Sequence, residues 1–156
     1  MLCKMFAALI ALASTSVVFA QTGVAPAVDY TAAAVAPGSW LYQAVPGGSG
    51  ARFVDSSGTA RLVLQCVKAT RRVSISHASS VPAASMSVWT SSASRTLPAR
   101  FEPNAMRVTA ELPAHDALLD AIAFSRGRFV VTMAGGLPLV APAWPEAART
   151  IEDCRI

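Results

Sequence analysis

The sequence predicts a mainly β, α+β domain: an antiparallel sheet or sandwich completed by a C-terminal helix-strand-strand-helix unit. Three observations carry this. Between residues 40 and 112 short apolar–polar alternations recur between turn residues at roughly ten-residue spacing, the pattern of an all-β sandwich or barrel. After Pro113 the alternation gives way to helical spacing. Finally, Cys66 and Cys154 fall on apolar faces of a strand and of a helix, by two independent counts.

The first strand is expected over Trp40, Tyr42 and Ala44, which alternate with Leu41 and Gln43. Pro46-Gly47-Gly48-Ser49-Gly50 reads as a turn, Arg52-Phe53-Val54 as a short strand, and Asp55-Ser56-Ser57-Gly58 as a second turn. In the strand 61–68, Leu62, Leu64 and Cys66 share one face by period two. Val73, Ile75 and His77 face one way over 72–77, with Arg72, Ser74 and Ser76 on the solvated side. Thr70-Arg71 joins these two strands into a hairpin. Met86 and Val88 mark the next strand, with Trp89 on its opposite face. Leu97, Ala99 and Phe101 read as one strand, and Pro98 argues that it lies at an edge. Val108, Ala110 and Leu112 complete the strand series.

A helix is expected over 115–124. Asp116 sits in its first turn, Leu118, Leu119 and Ile122 form its buried stripe, and Arg126-Gly127 closes it. Strands follow over Arg128–Met133 and Leu137–Val140, joined by Ala134-Gly135-Gly136. Pro145 suits a first helical position. Trp144, Ala147, Ala148, Ile151 and Cys154 then keep to one helical face.

Residues 1–20 read as a secretory signal peptide. Lys4 supplies the positive start, an apolar run spans Met5 to Ala13, and Val18 and Ala20 offer small side chains at the cleavage positions. Ser14, Thr15 and Ser16 interrupt the run, which argues against a spanning anchor of roughly 20 apolar residues. Residues 21–37, rich in Ala, Val and Pro, read as a flexible leader, and 38–156 as a single domain. The expected location is therefore periplasmic or secreted, with no transmembrane segment after cleavage. Removing twenty of the 156 residues leaves 136, and the 13 basic residues fall to 12 against nine acids, a net charge of +3. That balance is too small and scattered to argue for nucleic acid. Cleavage removes Cys3, so Cys66 and Cys154 are left to pair in an oxidising compartment.

Catalytic constellations are sparse. The histidines are His77 and His115, and no G-x-S-x-G elbow accompanies them. Cys66, His77, His115 and Cys154 are zinc-ligand types, but gaps of 11, 38 and 39 residues match no close-ligand pattern. Glu152 and Asp153 are adjacent on a helix and point apart, while Glu102 and Glu111 read as solvated strand residues. No catalytic residue, metal or cofactor is expected. Two arginine pairs, Arg71-Arg72 and Arg126–Arg128 around Gly127, are candidate anion or partner contacts; a hairpin turn and a helix cap account for them more simply. Trp89 either packs under a helix or forms a small exposed patch for a partner.

The run Ser125 to Phe129 (S-R-G-R-F) and the closing Trp144 to Arg155 (W-P-E…I-E-D-C-R) resemble small uncharacterised exported proteins of α-proteobacteria. In layout alone, the order helix, strand, strand, helix with a terminal cysteine is similar to periplasmic accessory proteins associated with type VI secretion or invasion. The resemblance implies an envelope accessory protein and carries over no functional residue. The sequence reading is thus a non-catalytic periplasmic or secreted module that binds an envelope protein or an anionic polymer. The alternative is a small envelope hydrolase or an inhibitor of one. Mass spectrometry of the exported protein is expected to find a chain beginning at Gln21; intact Met1 in the membrane fraction would refute the signal-peptide reading.

Overall fold

The structure, a computed structural model, describes residues 28–156. The expected signal peptide and the first part of the leader lie outside the described residues. Ten strands and two helices follow, and the mainly β, α+β expectation holds. The strands are β1 (Ser39–Val45), β2 (Gly48–Val54), β3 (Ala60–Val67), β4 (Arg72–Ala78), β5 (Ser85–Trp89), β6 (Ser94–Pro98), β7 (Arg100–Glu102), β8 (Arg107–Pro113), β9 (Arg128–Met133) and β10 (Leu139–Pro142). Helix α1 (Ala117–Ala123) lies between β8 and β9, and α2 (Pro145–Asp153) follows β10.

All pairings are antiparallel. One sheet has six strands in the order β1-β2-β3-β4-β8-β7, the other four in the order β10-β9-β5-β6. Period two decides which face of each is buried. Trp40, Phe53, Leu62, Leu64, Ile75 and Val108 point inward from the larger sheet; Met86, Val88, Phe129 and Val131 meet them from the smaller one. Trp40 stacks on Phe129 across this layer, and its indole N–H donates to the Pro142 carbonyl at 2.8 Å. Helix α2 covers more of the larger sheet's inner face, packing on β1, β2 and β3, and α1 packs against α2.

Several sequence boundaries shift, each for a local reason. The glycine-rich run 46–50 is mostly strand: Val45 pairs with Gly48, so only Pro46 and Gly47 turn, with Gly47 at φ +78°. The expected strand through Leu97, Ala99 and Phe101 is two strands in two sheets. Leu97 closes on the smaller sheet, Phe101 on the larger, and the chain crosses between them at Ala99. Both pieces are edge strands, as Pro98 implied. β10 starts two residues later than expected, because the turn around Gly135 (φ +74°) runs on and leaves Leu137 exposed. Asp116 is the N-cap of α1; its carboxylate accepts from the Leu118 N–H at 2.9 Å. Gly127 (φ +75°) turns the chain into β9, and Phe124 is the residue that closes α1. Trp144 is the N-cap of α2 and half-exposed, so Thr150 fills the buried face beside Ala147, Ile151 and Cys154.

Cys66 and Cys154 are bonded, with Cα atoms 5.4 Å apart and a sequence separation of 88. Both are buried. The bond ties the end of α2 to the middle of the larger sheet. Closing a loop of that length is worth about 4.6 kcal/mol on the chain-entropy model. Cys154→Ser is expected to lower unfolding free energy by about 2–5 kcal/mol, read as a fall in the denaturant midpoint; an unchanged midpoint would mean that the bond adds nothing.

Candidate functional site

The two sheets differ in their outer faces. On the smaller sheet, Trp89, Val130 and Val140 share the outer face by register. The chain's own residues 28–36 lie there. Tyr30 meets Trp89 edge-on at 5.9 Å, the Ala36 N–H donates to the Val140 carbonyl at 2.8 Å, and the Arg128 guanidinium donates to the Ala33 carbonyl. Trp89 thus packs on neither helix and is half-covered by the segment preceding β1.

The outer face of the six-stranded sheet is open and mostly polar, with Leu41, Val45, Val63 and Val67 among its outward residues. Register aligns its outward side chains in rows across the strands. One row is Gln43, Gly50, Gln65, Ser74 and Glu111; the next is Leu41, Arg52, Val63, Ser76, Thr109 and Arg100. Over β3, β4, β8 and β7 these groups line a groove of about 400 Å³. A smaller trough of about 140 Å³ continues over β1, β2 and β3.

Charge in the groove is organised around Glu111. Its carboxylate takes Arg72 Nε at 3.2 Å and Arg100 Nη2 at 3.2 Å, while Arg100 Nε also reaches Glu102 at 3.3 Å. Ser76 and Thr109 share a hydrogen bond of 2.9 Å between them. Arg107 ties the strands together, donating to the Ser76 carbonyl at 3.1 Å and the Ala60 carbonyl at 2.6 Å. Such a surface offers alternating donors and acceptors along and across the strands, with two guanidinium groups held in place by carboxylates.

The sequence candidates are distributed over separate parts of the molecule. Arg72 lines the groove, paired to Glu111. Arg71 occupies the β3–β4 turn at φ 49°, where its carbonyl accepts from the Ala114 N–H at 2.9 Å. Arg126 is exposed in the α1–β9 turn, and its backbone N–H donates to Ser91 Oγ at 2.9 Å. Arg128 is engaged with Ala33, so the two arginines around Gly127 do not form a shared grip. Gln43, Gln65, Ser74, Thr109 and Arg100 were not singled out in the sequence. Their signal was parity: each sits opposite the core-facing residues of its strand.

The two histidines lie away from the groove. His115 is exposed just ahead of α1. His77 is buried on the inner face beside Ile75; its Nδ1 is 2.7 Å from the Ala78 carbonyl, which makes Nδ1 the protonated nitrogen, and Nε2 has no partner. Burial pushes its pKa below the ordinary histidine value; the Ala78 hydrogen bond works against this, and the charges of Arg61 and Arg107 add to it. Comparison with known proteins assigns no family: no family model, curated protein or solved structure matches the chain.

The His77 shift fixes a pH dependence. In the unfolded chain histidine takes its proton near pH 6.5; in the folded one it resists. Stability is therefore complete above about pH 6.5 and falls as pH drops below it. Denaturant midpoints measured at pH 8 and pH 5.5 are expected to fall further for the wild type than for His77→Leu. Equal falls would mean that His77 protonates in the folded state as freely as in the unfolded one.

Proposed function

We propose that this protein is an exported, non-catalytic binding module, and that it holds an envelope partner on the open face of its six-stranded sheet. The observation that carries this is the contrast between the two outer faces. The apolar strip Trp89, Val130 and Val140 on the smaller sheet's outer face is covered by the chain itself, whereas the larger sheet's outer face is open and carries a groove lined mostly with amide, hydroxyl and paired charged groups. Such groups are suited to an extended polar chain, whose own donors and acceptors repeat along its length.

Two further features support the reading. The Cys66–Cys154 bond suits an oxidising compartment. No helix among the described residues is long and apolar enough to cross a membrane.

Ser74 and Ser76 stand outward on β4, in the middle of the groove. Cross-linking of the exported protein in the envelope fraction is expected to trap a partner. The double variant Ser74→Glu, Ser76→Glu, with its circular dichroism unchanged, is expected to trap at least tenfold less. Ser56→Glu, on the β2–β3 turn, is expected to trap as much as the wild type. Undiminished trapping by the double variant would move the binding site off this face.

A further inference from the structure

The trough at the β1 end of the open face is built around a glycine that the fold does not require. Gly50 lies in the middle of β2, directly between Gln43 on β1 and Gln65 on β3. A glycine inside a strand loses packing and raises the entropy lost on folding, and one recurrent reason for it is close approach by a ligand. Sterics give no other reason here. A Cβ on Gly50 would have the Leu64 carbonyl oxygen as its nearest neighbour, at an ordinary 3.6 Å, and its φ is outside the left-handed region. Gly48, two residues earlier, is different: a Cβ there would lie 2.0 Å from the Cys66 carbonyl oxygen. Packing against the disulfide-bearing strand dictates Gly48, and only Gly50 is left as a bare floor facing solvent.

The groups around that floor are specific. Gln43 and Gln65 are exposed on either side, each with a carboxamide that can donate and accept. Val45 and Val63 supply apolar walls. Arg52, also exposed, completes the lining, and among the described residues no ion pair engages it. A guanidinium fork pairs with a carboxylate through two parallel hydrogen bonds. Flanking carboxamides complement the N–H and C=O of a peptide unit. With a volume of about 140 Å³ the trough is the smaller of the two hollows on this face, a shallow seat matched to a small side chain.

We propose that this trough seats the C-terminus of a partner protein ending in small residues. Its terminal carboxylate lies on Arg52, its last amide lies between Gln43 and Gln65, and its methyl-sized side chain rests on Gly50 between Val45 and Val63. The proposal rests on the open face being the binding face, and names the part of a partner that it reads.

The test titrates the isotope-labelled exported chain with acetyl-Ala-Ala as the free acid and as the C-terminal amide, followed by NMR. The free acid is expected to shift the backbone signals of Gln43, Gly50 and Gln65. The amide is expected to bind at least tenfold more weakly, because it lacks the charge that Arg52 takes. Gly50→Val is expected to abolish binding while leaving the melting temperature unchanged or raised. Equal binding of acid and amide, or full binding by Gly50→Val, would overturn the proposal. So would a sharp fall in the melting temperature of Gly50→Val, since the glycine would then be structural. No shift with either peptide, with the envelope partner still lost in the Ser74→Glu, Ser76→Glu variant, would overturn this ligand alone and leave the open-face reading standing. An adventitious effect of solvent or pH would shift signals alike with both peptides and counts against the proposal.

Discussion

The Cys66–Cys154 bond is the constraint on which the second layer depends. The four-stranded sheet is too narrow to cover the inner face of a six-stranded one. What it leaves bare, at β1, β2 and β3, is covered by α2. A helix of nine residues is too short to persist by itself in water, so contacts from outside must hold it. The disulfide fixes its last turn to β3. Tyr42 fixes its flank: the hydroxyl donates to Asp153 at 2.6 Å, and the Arg149 guanidinium lies 4.1 Å over the ring. For Asp153, burial works against the charged form, but the hydrogen bond from Tyr42 and the neighbouring cations prevail and hold its pKa below the usual value. Arg155, just beyond the helix, reaches Asp120 on α1 at 2.7 Å and the Ala114 carbonyl at 2.9 Å. The bond, the tyrosine and the arginine act together, so α1 and α2 close the inner layer as one unit.

Much of this was legible because it follows from period. Leu62, Leu64 and Cys66 alternate along a strand, Ala147, Ile151 and Cys154 recur on a helix, and both patterns aim sulfur at the core. Burial forces such patterns, so they can be read without knowing the topology. What the sequence hid has a different origin. Gly48-Ser49-Gly50 carries turn composition yet pairs as strand, because β1 and β3 flank it on both sides and tertiary pairing outweighs local propensity. Leu97, Ala99 and Phe101 keep an unbroken alternation although the chain changes sheet at Ala99. Two inward-facing strands that meet at a corner keep the same parity, so period alone does not reveal the crossing.

The candidate site was less legible than the fold, and the reason is topological. Strand order places β8 beside β4, so Glu111 comes to Ser74 and Arg72 from nearly forty positions along the chain. Sequence reasoning looks for clusters that are close in the chain, and so it singled out Arg71-Arg72 and Arg126–Arg128. Those four arginines serve a turn, an ion pair, an exposed loop and a strap over the smaller sheet. The residues of the open face are each unremarkable alone: a glutamine, a serine, a threonine opposite a core residue. Only the register gathers them, and register is set by hairpins and crossovers that composition does not encode.

The distribution of covered and uncovered surface follows from the same physics. A two-layer β fold has four sheet faces, and the core occupies two. An apolar outer face left in water is an invitation to association, and Trp89, Val130 and Val140 would make one on the smaller sheet. The segment 28–36 covers that face, at the cost of ordering about nine residues. That ordering is compensated by the Tyr30–Trp89 contact, the Ala36–Val140 hydrogen bond and the Arg128–Ala33 hydrogen bond. Over β4, β7 and β8 the larger sheet needs no such cover, because its outward positions are hydroxyls and arginine–glutamate pairs that water solvates well. Its donors and acceptors face water, a solvent that a ligand bearing matching groups can displace. On that face, the hollow at Gly50 lies between the apolar side chains of Val45 and Val63. A Cβ at Gly50 would raise strand propensity and meet nothing closer than the Leu64 carbonyl oxygen at 3.6 Å, so backbone packing does not explain the hollow, and close approach by a ligand is the explanation proposed for it.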